Sequence, residues 1–199
     1  MSAPIIFLFR HGETEWNSEG RRQGKMNSNL TPRGRLQARN NARLLQNYSS
    51  LDEPFMVYVS PLGRAKETAQ IMLNEIGISE EKINYDDRLM ESSFGKWEGL
   101  TDAEIAQTYP SSWQARRLDR WNTRPPSGES YADVSSRVSE WLNEVEFSNT
   151  TLVICHGLTS RVLRGIYLEL THQEIFDLTE PQDGFFKLSK EKASYIFLF

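Results

Sequence analysis

Three short, unbroken apolar runs constrain this chain most: Ile5-Ile6-Phe7-Leu8-Phe9, Phe55-Met56-Val57-Tyr58-Val59 and Leu152-Val153-Ile154-Cys155. Each is of strand length, and none alternates apolar with polar residues. A strand with one wet face would alternate. These therefore read as strands covered on both faces, as in a parallel sheet with helices on either side. Helical patterns lie between them. Thr31-Pro32 places an N-cap before a proline at the first helical position and predicts a helix over 31–47. Residues 64–73 and 159–170 predict two more. Ser130 and Asp133 have the spacing of a capping box, and Val134, Val138, Leu142 and Val145 then recur on one face. Strand–helix alternation of this kind predicts an α/β sandwich with a mainly parallel sheet. Residues 185–188 and 195–199 have strand character and read as an edge.

The stretch 92–128 breaks the pattern. It carries Trp97, Trp113 and Trp121, the arginines Arg116, Arg117, Arg120 and Arg124, and Pro125-Pro126. Thr101 caps a short predicted helix over Asp102–Thr108. We read this stretch as a cap over one end of the sheet, within a single domain spanning 1–199. A chain of 199 residues with 38% hydrophobic residues suits one core. Its net charge of −4 and pI near 5.5 argue against a general binder of nucleic acid or anionic membrane, though not against a local basic pocket. Cys155 is the only cysteine, so no intrachain disulfide can form. With no signal-like or membrane-length apolar stretch, the expected location is cytoplasmic.

The residues just after each predicted strand are more telling. The first strand ends in Arg10-His11-Gly12, the second in Ser60-Pro61-Leu62-Gly63-Arg64, the third in His156-Gly157. Ligands bind outside the carboxyl ends of the strands in an open parallel sheet. Two histidines and two arginines then converge on one edge. Glycines let backbone N–H groups approach a ligand, and a helix starting near Thr159 adds its positive end. Such a site suits phosphate, because guanidinium forks match its oxygens and do not titrate away. A neutral imidazole nitrogen can attack phosphorus. The leaving oxygen needs a proton, and a shielded carboxyl near phosphate, its pKa raised, could supply it. Glu91 is the candidate.

Other readings compete. One His-Gly after a strand is most often a turn; two, with arginines beside them, are not. A metal site would have to draw on His11, His156, His172 and Cys155. Extended Cys155 and His156 face opposite ways, and Arg10 would repel a cation. His172 reads as surface or structural. No phosphate-binding loop of the G-x-x-x-x-G-K-[ST] or G-x-G-x-x-G type occurs. Arg35, Arg39 and Arg43 form a helical stripe, more often solvent-facing than a nucleic-acid contact.

These residues resemble the histidine phosphatase superfamily, the cofactor-dependent phosphoglycerate mutase-like group. Arg10-His11-Gly12-Glu13-Thr14 with Trp16-Asn17 looks like its signature, followed by Gly20-Arg21 and Gln23-Gly24. Leu30-Thr31-Pro32-Arg33-Gly34 with Gln37-Ala38, then Ser60-Pro61-Leu62 with Arg64-Ala65 and Thr68-Ala69, match further blocks. Residues 89–99, 126–130 and 153–157 complete the series, so nearly the whole chain is covered. The resemblance implies a three-layer α/β/α sandwich whose mixed, mainly parallel sheet has six strands, one of them antiparallel. It implies that His11 is the nucleophile, that Arg10, Arg64 and His156 hold the phosphoryl group, and that Glu91 is proton donor and later base. Asn17 and the Gly157 backbone would assist phosphate binding; Gln23, Gly24 and the 92–128 cap would face the rest of the substrate. The family uses no metal in the reaction, and no cofactor is expected. One departure stands out. The family often has an aspartate where this chain has Asn27, for which we expect a local structural effect.

Water or a product hydroxyl can accept the phosphoryl group, so both phosphatase and mutase are open. Family mutases usually carry a longer insertion between the Glu and Gly-Glu-Ser blocks. The gap from Glu91 to Gly128 is short, which favours a phosphatase of a small phosphorylated metabolite. A non-catalytic phosphate-binding module is the alternative from another class, disfavoured by the presence of His11, Arg64, Glu91 and His156. Sugar phosphates, phosphoglycerates, nucleotide-type monoesters and α-ribazole phosphate all stay open as substrates. Oligomeric state is not legible, and a homodimer stays open.

Overall fold

The computed structural model describes residues 5–48, 55–145, 150–189 and 192–197. Six strands are present among these residues: β1 (Ile5–Arg10), β2 (Phe55–Val59), β3 (Ile83–Tyr85), β4 (Thr150–Cys155), β5 (Phe185–Ser189) and β6 (Lys192–Ile196). They form one sheet in the order β3-β2-β4-β1-β5-β6. β1, β2, β3 and β4 run parallel. β5 is antiparallel to both its neighbours, β1 and β6, so it alone runs against the rest. The helices are α1 (Glu15–Ser18), α2 (Pro32–Tyr48), α3 (Gly63–Glu75), α4 (Asp102–Thr108), α5 (Pro110–Leu118), α6 (Tyr131–Glu144), α7 (Gly157–Tyr167) and α8 (His172–Asp177).

The unbroken apolar runs are explained by two cores, one on each sheet face. Phe7 and Phe9 of β1 join Val57, Val59, Leu152 and Ile154 against Ala38, Ala42 and Leu45 of α2 and Ala65, Ala69, Met72 and Leu73 of α3. Ile6 and Leu8 point the other way. With Val153 and Cys155 they pack against Val134, Val138 and Trp141 of α6 and Leu158, Val162 and Leu163 of α7. Successive residues of a strand face opposite sides, so a three-layer sandwich needs apolar residues at every position.

The expected helix starts are close. Thr31 Oγ1 accepts from Gly34 N at 3.0 Å, as an N-cap does. The Ser130–Asp133 and Thr101–Glu104 capping boxes both form. α7 begins at Gly157, two residues before the expected start, because His156 at the end of β4 is itself the N-cap residue. β6 begins at polar Lys192, three residues before the expected 195–199 segment; residues 198 and 199 lie outside the described residues. α1, β3, α5 and α8 were not expected. Residues 92–128 add no strand to the sheet and carry α4 and α5.

Register places the site. Arg10 pairs with Cys155, and Val59 with Ile154. The carboxyl ends of β1, β2 and β4 are therefore level, and His11, Ser60 and His156 leave the sheet side by side. The turn after β1 is tight. A Cβ on Gly12 would collide with the Gly34 carbonyl at the start of α2, and one on Gly34 with the Glu13 carbonyl. Only glycine at both lets helix and loop meet this closely.

Candidate active site

His11 is buried, and its Nδ1 lies 2.7 Å from Gly12 O. A carbonyl only accepts, so Nδ1 carries the proton and Nε2 keeps a lone pair. Arg64 Nε donates to that Nε2 at 3.2 Å. Burial, then the charges of Arg64 and Arg10, hold the His11 pKa well below the ordinary histidine value; the Gly12 bond opposes them weakly. His11 is thus neutral and aimed, as a nucleophile requires.

His156 lies beside it, with ring centroids 5.1 Å apart. Its Nε2 is 2.7 Å from Ser60 Oγ. Burial first, then Arg64, His11 and Arg10, depress its pKa well below the usual range. Arg64, reaching in from α3, is fully buried. Its guanidinium donates to Met26 O and Gly24 O, each at 2.7 Å. Burial lowers it to about 10, with Glu91 opposing, so it stays charged near neutrality. Asn27 Oδ1 accepts from Arg64 N at 2.9 Å. The Asn27 departure thus has a local structural role: it caps the first turn of α3 from a distant loop.

Glu91 sits at the amino end of α7. Its Oε2 accepts from Leu158 N and its Oε1 from Thr159 N, both at 3.2 Å, and from Ser92 N at 3.0 Å. The helix start that was expected to attract phosphate holds this carboxylate. Arg10 donates to the Glu180 carbonyl. Arg10 Nε, Arg161 Nε and His156 Nδ1 are buried with no hydrogen-bond partner among the described residues. A buried donor without a partner costs about 1–3 kcal/mol, which an oxyanion entering beside Arg10 and Arg161 would recover.

Arg10, His11, Asn17, Gln23, Gly24, Arg64 and Glu91 all line one cavity of about 330 Å³. His156 and Gly157 are buried and do not line it. A Cβ on Gly157 would meet the Glu180 carboxylate. Gln23 is tied inward, donating to Thr14 Oγ1 and accepting from Ser28 Oγ at 3.4 Å. Sequence reasoning missed Arg161, Glu180 and Tyr131 in the same wall. Arg161 pairs with Glu180 at 2.9 Å and donates to Tyr131 Oη at 3.0 Å. Its position one turn into the helix after His156 was the available signal.

A second cavity of about 360 Å³ adjoins the first. Arg22, Phe94, Arg120, Tyr131 and Leu158 line both, so the two form one cleft under the cap.

The sequence profile of the histidine phosphatase superfamily (branch 1) matches residues 6–188. The chain belongs to this superfamily. Among its relatives is human 6-phosphofructo-2-kinase/fructose-2,6-bisphosphatase 4, 32% identical over 184 residues, which are 92% of this chain and 37% of that one. The chain thus spans little more than a third of that relative's length. Phosphoserine phosphatase 1 of Hydrogenobacter thermophilus is 32% identical over 169 residues, 79% of this chain and 73% of that one. The solved alpha-ribazole phosphatase of Shigella flexneri superimposes with a TM-score of 0.81 at 25% identity, covering 98% of this chain and 95% of that one. The mycobacterial glucosyl-3-phosphoglycerate phosphatase gives 0.74 at 27% identity, covering 98% and 96%. The fold is the phosphoglycerate mutase-like α/β sandwich of these superfamily phosphatases.

Among the described residues no group of three or more His, Cys, Asp or Glu side chains is placed to hold a metal ion. Burial pushes the Cys155 thiol up to about 12, so it is inert. His172 is exposed and stacks on Trp121 with centroids 3.5 Å apart, pinning the cap to α8. Arg35 pairs with Glu67 and Arg43 with Glu75, each at 2.7 Å, so the arginine stripe fastens α2 to α3. No helix among the described residues is long and apolar enough to cross a membrane.

Proposed function

We propose that this chain hydrolyses phosphate monoesters through a phosphohistidine on His11, and that its substrate carries a second anionic group. The observation that carries the first part is the His11 Nε2 lone pair, fixed by the Nδ1–Gly12 bond and faced by Arg64. The phosphate dianion sits among Arg10, Arg64 and the Asn17 amide, with His156 buried beside His11. Nε2 attacks phosphorus, an N–P bond forms, the ester P–O bond breaks, and Glu91 protonates the leaving oxygen. Glu91 then takes a proton from water, which attacks phosphorus and releases His11. The guanidinium groups of Arg10 and Arg64 supply the charge neutralisation that phosphoryl transfer needs.

The second part rests on the cap cavity. Arg116, Arg117 and Arg120 line it, and none is ion-paired with a described residue. Arg120 donates to Tyr131 Oη at 3.1 Å. Burial, with Arg120 and Arg22 nearby, lowers Arg116 to about 10. The aromatic rings of Phe94, Trp97 and Trp113 share the wall. Uncompensated cations in a half-enclosed cleft attract an anion. A sugar bisphosphate fits this chemistry, and the fructose-2,6-bisphosphatase relatives make fructose 2,6-bisphosphate the first probe. A panel of monoesters and bisphosphates, including 3-phosphoglycerate, tests the proposal, with free phosphate and isomerised product both measured. Free phosphate is expected, released fastest from doubly anionic esters. Isomer in place of phosphate would make the chain a mutase; neither product would leave a binding module.

Two variants sharpen this. Arg120→Met should raise KM for the preferred bisphosphate about ten- to a hundredfold, the size of one charged hydrogen bond, and leave p-nitrophenyl phosphate within about twofold. Equal effects on both substrates would remove Arg120 from the distal subsite. Glu91→Gln should slow alkyl phosphates about a hundredfold or more and p-nitrophenyl phosphate far less, since a good leaving group needs little protonation. A leaving-group-independent loss would assign Glu91 another role.

A further inference from the structure

The segment between α8 and β5 runs against the catalytic loop at several points. Glu180 O accepts from Arg10, and Asp183 Oδ1 accepts from Gln37 Nε2 at 2.8 Å. Between them, Gln182 extends one side-chain amide to two acceptors: His11 O at 2.9 Å and Asn17 Oδ1 at 3.3 Å. We propose that Gln182 is a positioning residue that sets the aim of both His11 and Asn17. The inference rests on the phosphohistidine reading and deepens it.

The His11–Gly12 peptide is gripped on both edges. Gln182 holds its carbonyl, and Thr68 Oγ1 accepts from its N–H at 3.1 Å. The next carbonyl, Gly12 O, anchors the imidazole through Nδ1. A rotation of the first peptide swings the second, so releasing the Gln182 grip frees the ring that carries Nε2. Asn17 is set by the same amide. Its Oδ1 accepts from Thr14 N at 3.2 Å and from Gln182 Nε2. A flipped amide would turn its NH₂ group against both donors. Asn17 is therefore held with its oxygen engaged and its NH₂ left to donate in the cavity it lines. The rest of Gln182 is fastened independently: its backbone carbonyl accepts from Asn41 Nδ2 at 3.0 Å.

Gln182→Leu keeps the bulk and removes the donors. We expect phosphohistidine formation from p-nitrophenyl phosphate to slow about ten- to a hundredfold, the cost of a misaimed nucleophile. The inhibition constant for inorganic phosphate should rise severalfold, because Asn17 is free to present its oxygen. Asn41→Leu loosens the same segment without touching His11 or Asn17, so it should lower the melting temperature at least as much and leave both constants near wild type. Nitrogen NMR of the resting protein gives a readout that needs no turnover: a single Nδ1–H tautomer of His11 in wild type and in Asn41→Leu, a mixture in Gln182→Leu. If wild type forms no phosphohistidine, the proposed function falls and the tautomer comparison alone decides Gln182. A wild-type tautomer in Gln182→Leu, or rate losses matched by Asn41→Leu, would overturn the inference.

Discussion

His11→Ala is expected to lose at least about a thousandfold in kcat on every phosphate monoester the chain accepts, with its fold intact and its affinity for inorganic phosphate largely kept. Nucleophilic participation is worth this much when no neighbour can substitute for the missing group. None is placed to do so. His156 is fully buried and does not line the cavity, the Cys155 thiol is buried among α6 and α7 side chains, and Ser60 is itself fully buried. Phosphate affinity survives because Arg10 and the Asn17 amide remain and Arg64, though it loses its bond to His11, stays anchored on Met26 O and Gly24 O. Single-turnover rates, with circular dichroism and phosphate competition as controls, measure both halves. Activity within about tenfold of wild type would mean that His11 assists an attack made by something else.

The second large effect is on stability in mild acid. His11 and His156 are both buried neutral, with folded pKa values well below the ordinary 6.5. The unfolded chain therefore takes up protons first as pH falls. Stability contributed by keeping these rings neutral is full above about pH 6.5 and drains as pH falls towards the folded values. Two such groups give a slope of up to about 2.7 kcal/mol per pH unit, about twice the ~1.36 of a single titration. Denaturant midpoints at about pH 7.5, 6 and 5 should drop steeply and in order across that window. Replacing His156 by Asn should halve the slope there. Midpoints that hardly move between about pH 7.5 and 5 would show that the rings titrate normally and are not sealed between guanidinium groups.

The parts legible in the sequence share a physical reason. A strand covered on both faces must be apolar at every position, so β1, β2 and β4 announced themselves. β3 pairs on one side only, and Ile83-Asn84-Tyr85 at that edge needs no such run. α8 is six residues held by its Thr171–Glu174 capping box and one buried isoleucine, too short for a periodicity. The same divide holds at the site. His11, Arg64 and His156 could be read because each follows a strand end, and parallel strands bring such ends together. Gln182 and Glu180 could not, because their meaning lies in contacts with residues far off in the chain: Gln182 touches a carbonyl 171 positions away. Gln23 differs in a related way. A glutamine next to the site reads as facing substrate, whereas its amide spans Thr14 and Ser28 and braces the loop at the cavity wall. His156 and the Gly157 backbone were expected to hold phosphate, and the cavity is lined instead by their neighbour Leu158.

The central claim is a covalent bond between phosphorus and one imidazole nitrogen. It is tested most directly by mixing the protein with labelled substrate, quenching in alkali within a turnover, and mapping the retained phosphate by peptide mass spectrometry. The expected result is an alkali-stable, acid-labile phosphoryl group on His11 that forms and decays at rates compatible with kcat. Retained phosphate on any other residue, or turnover with no retained phosphate at all, would contradict it.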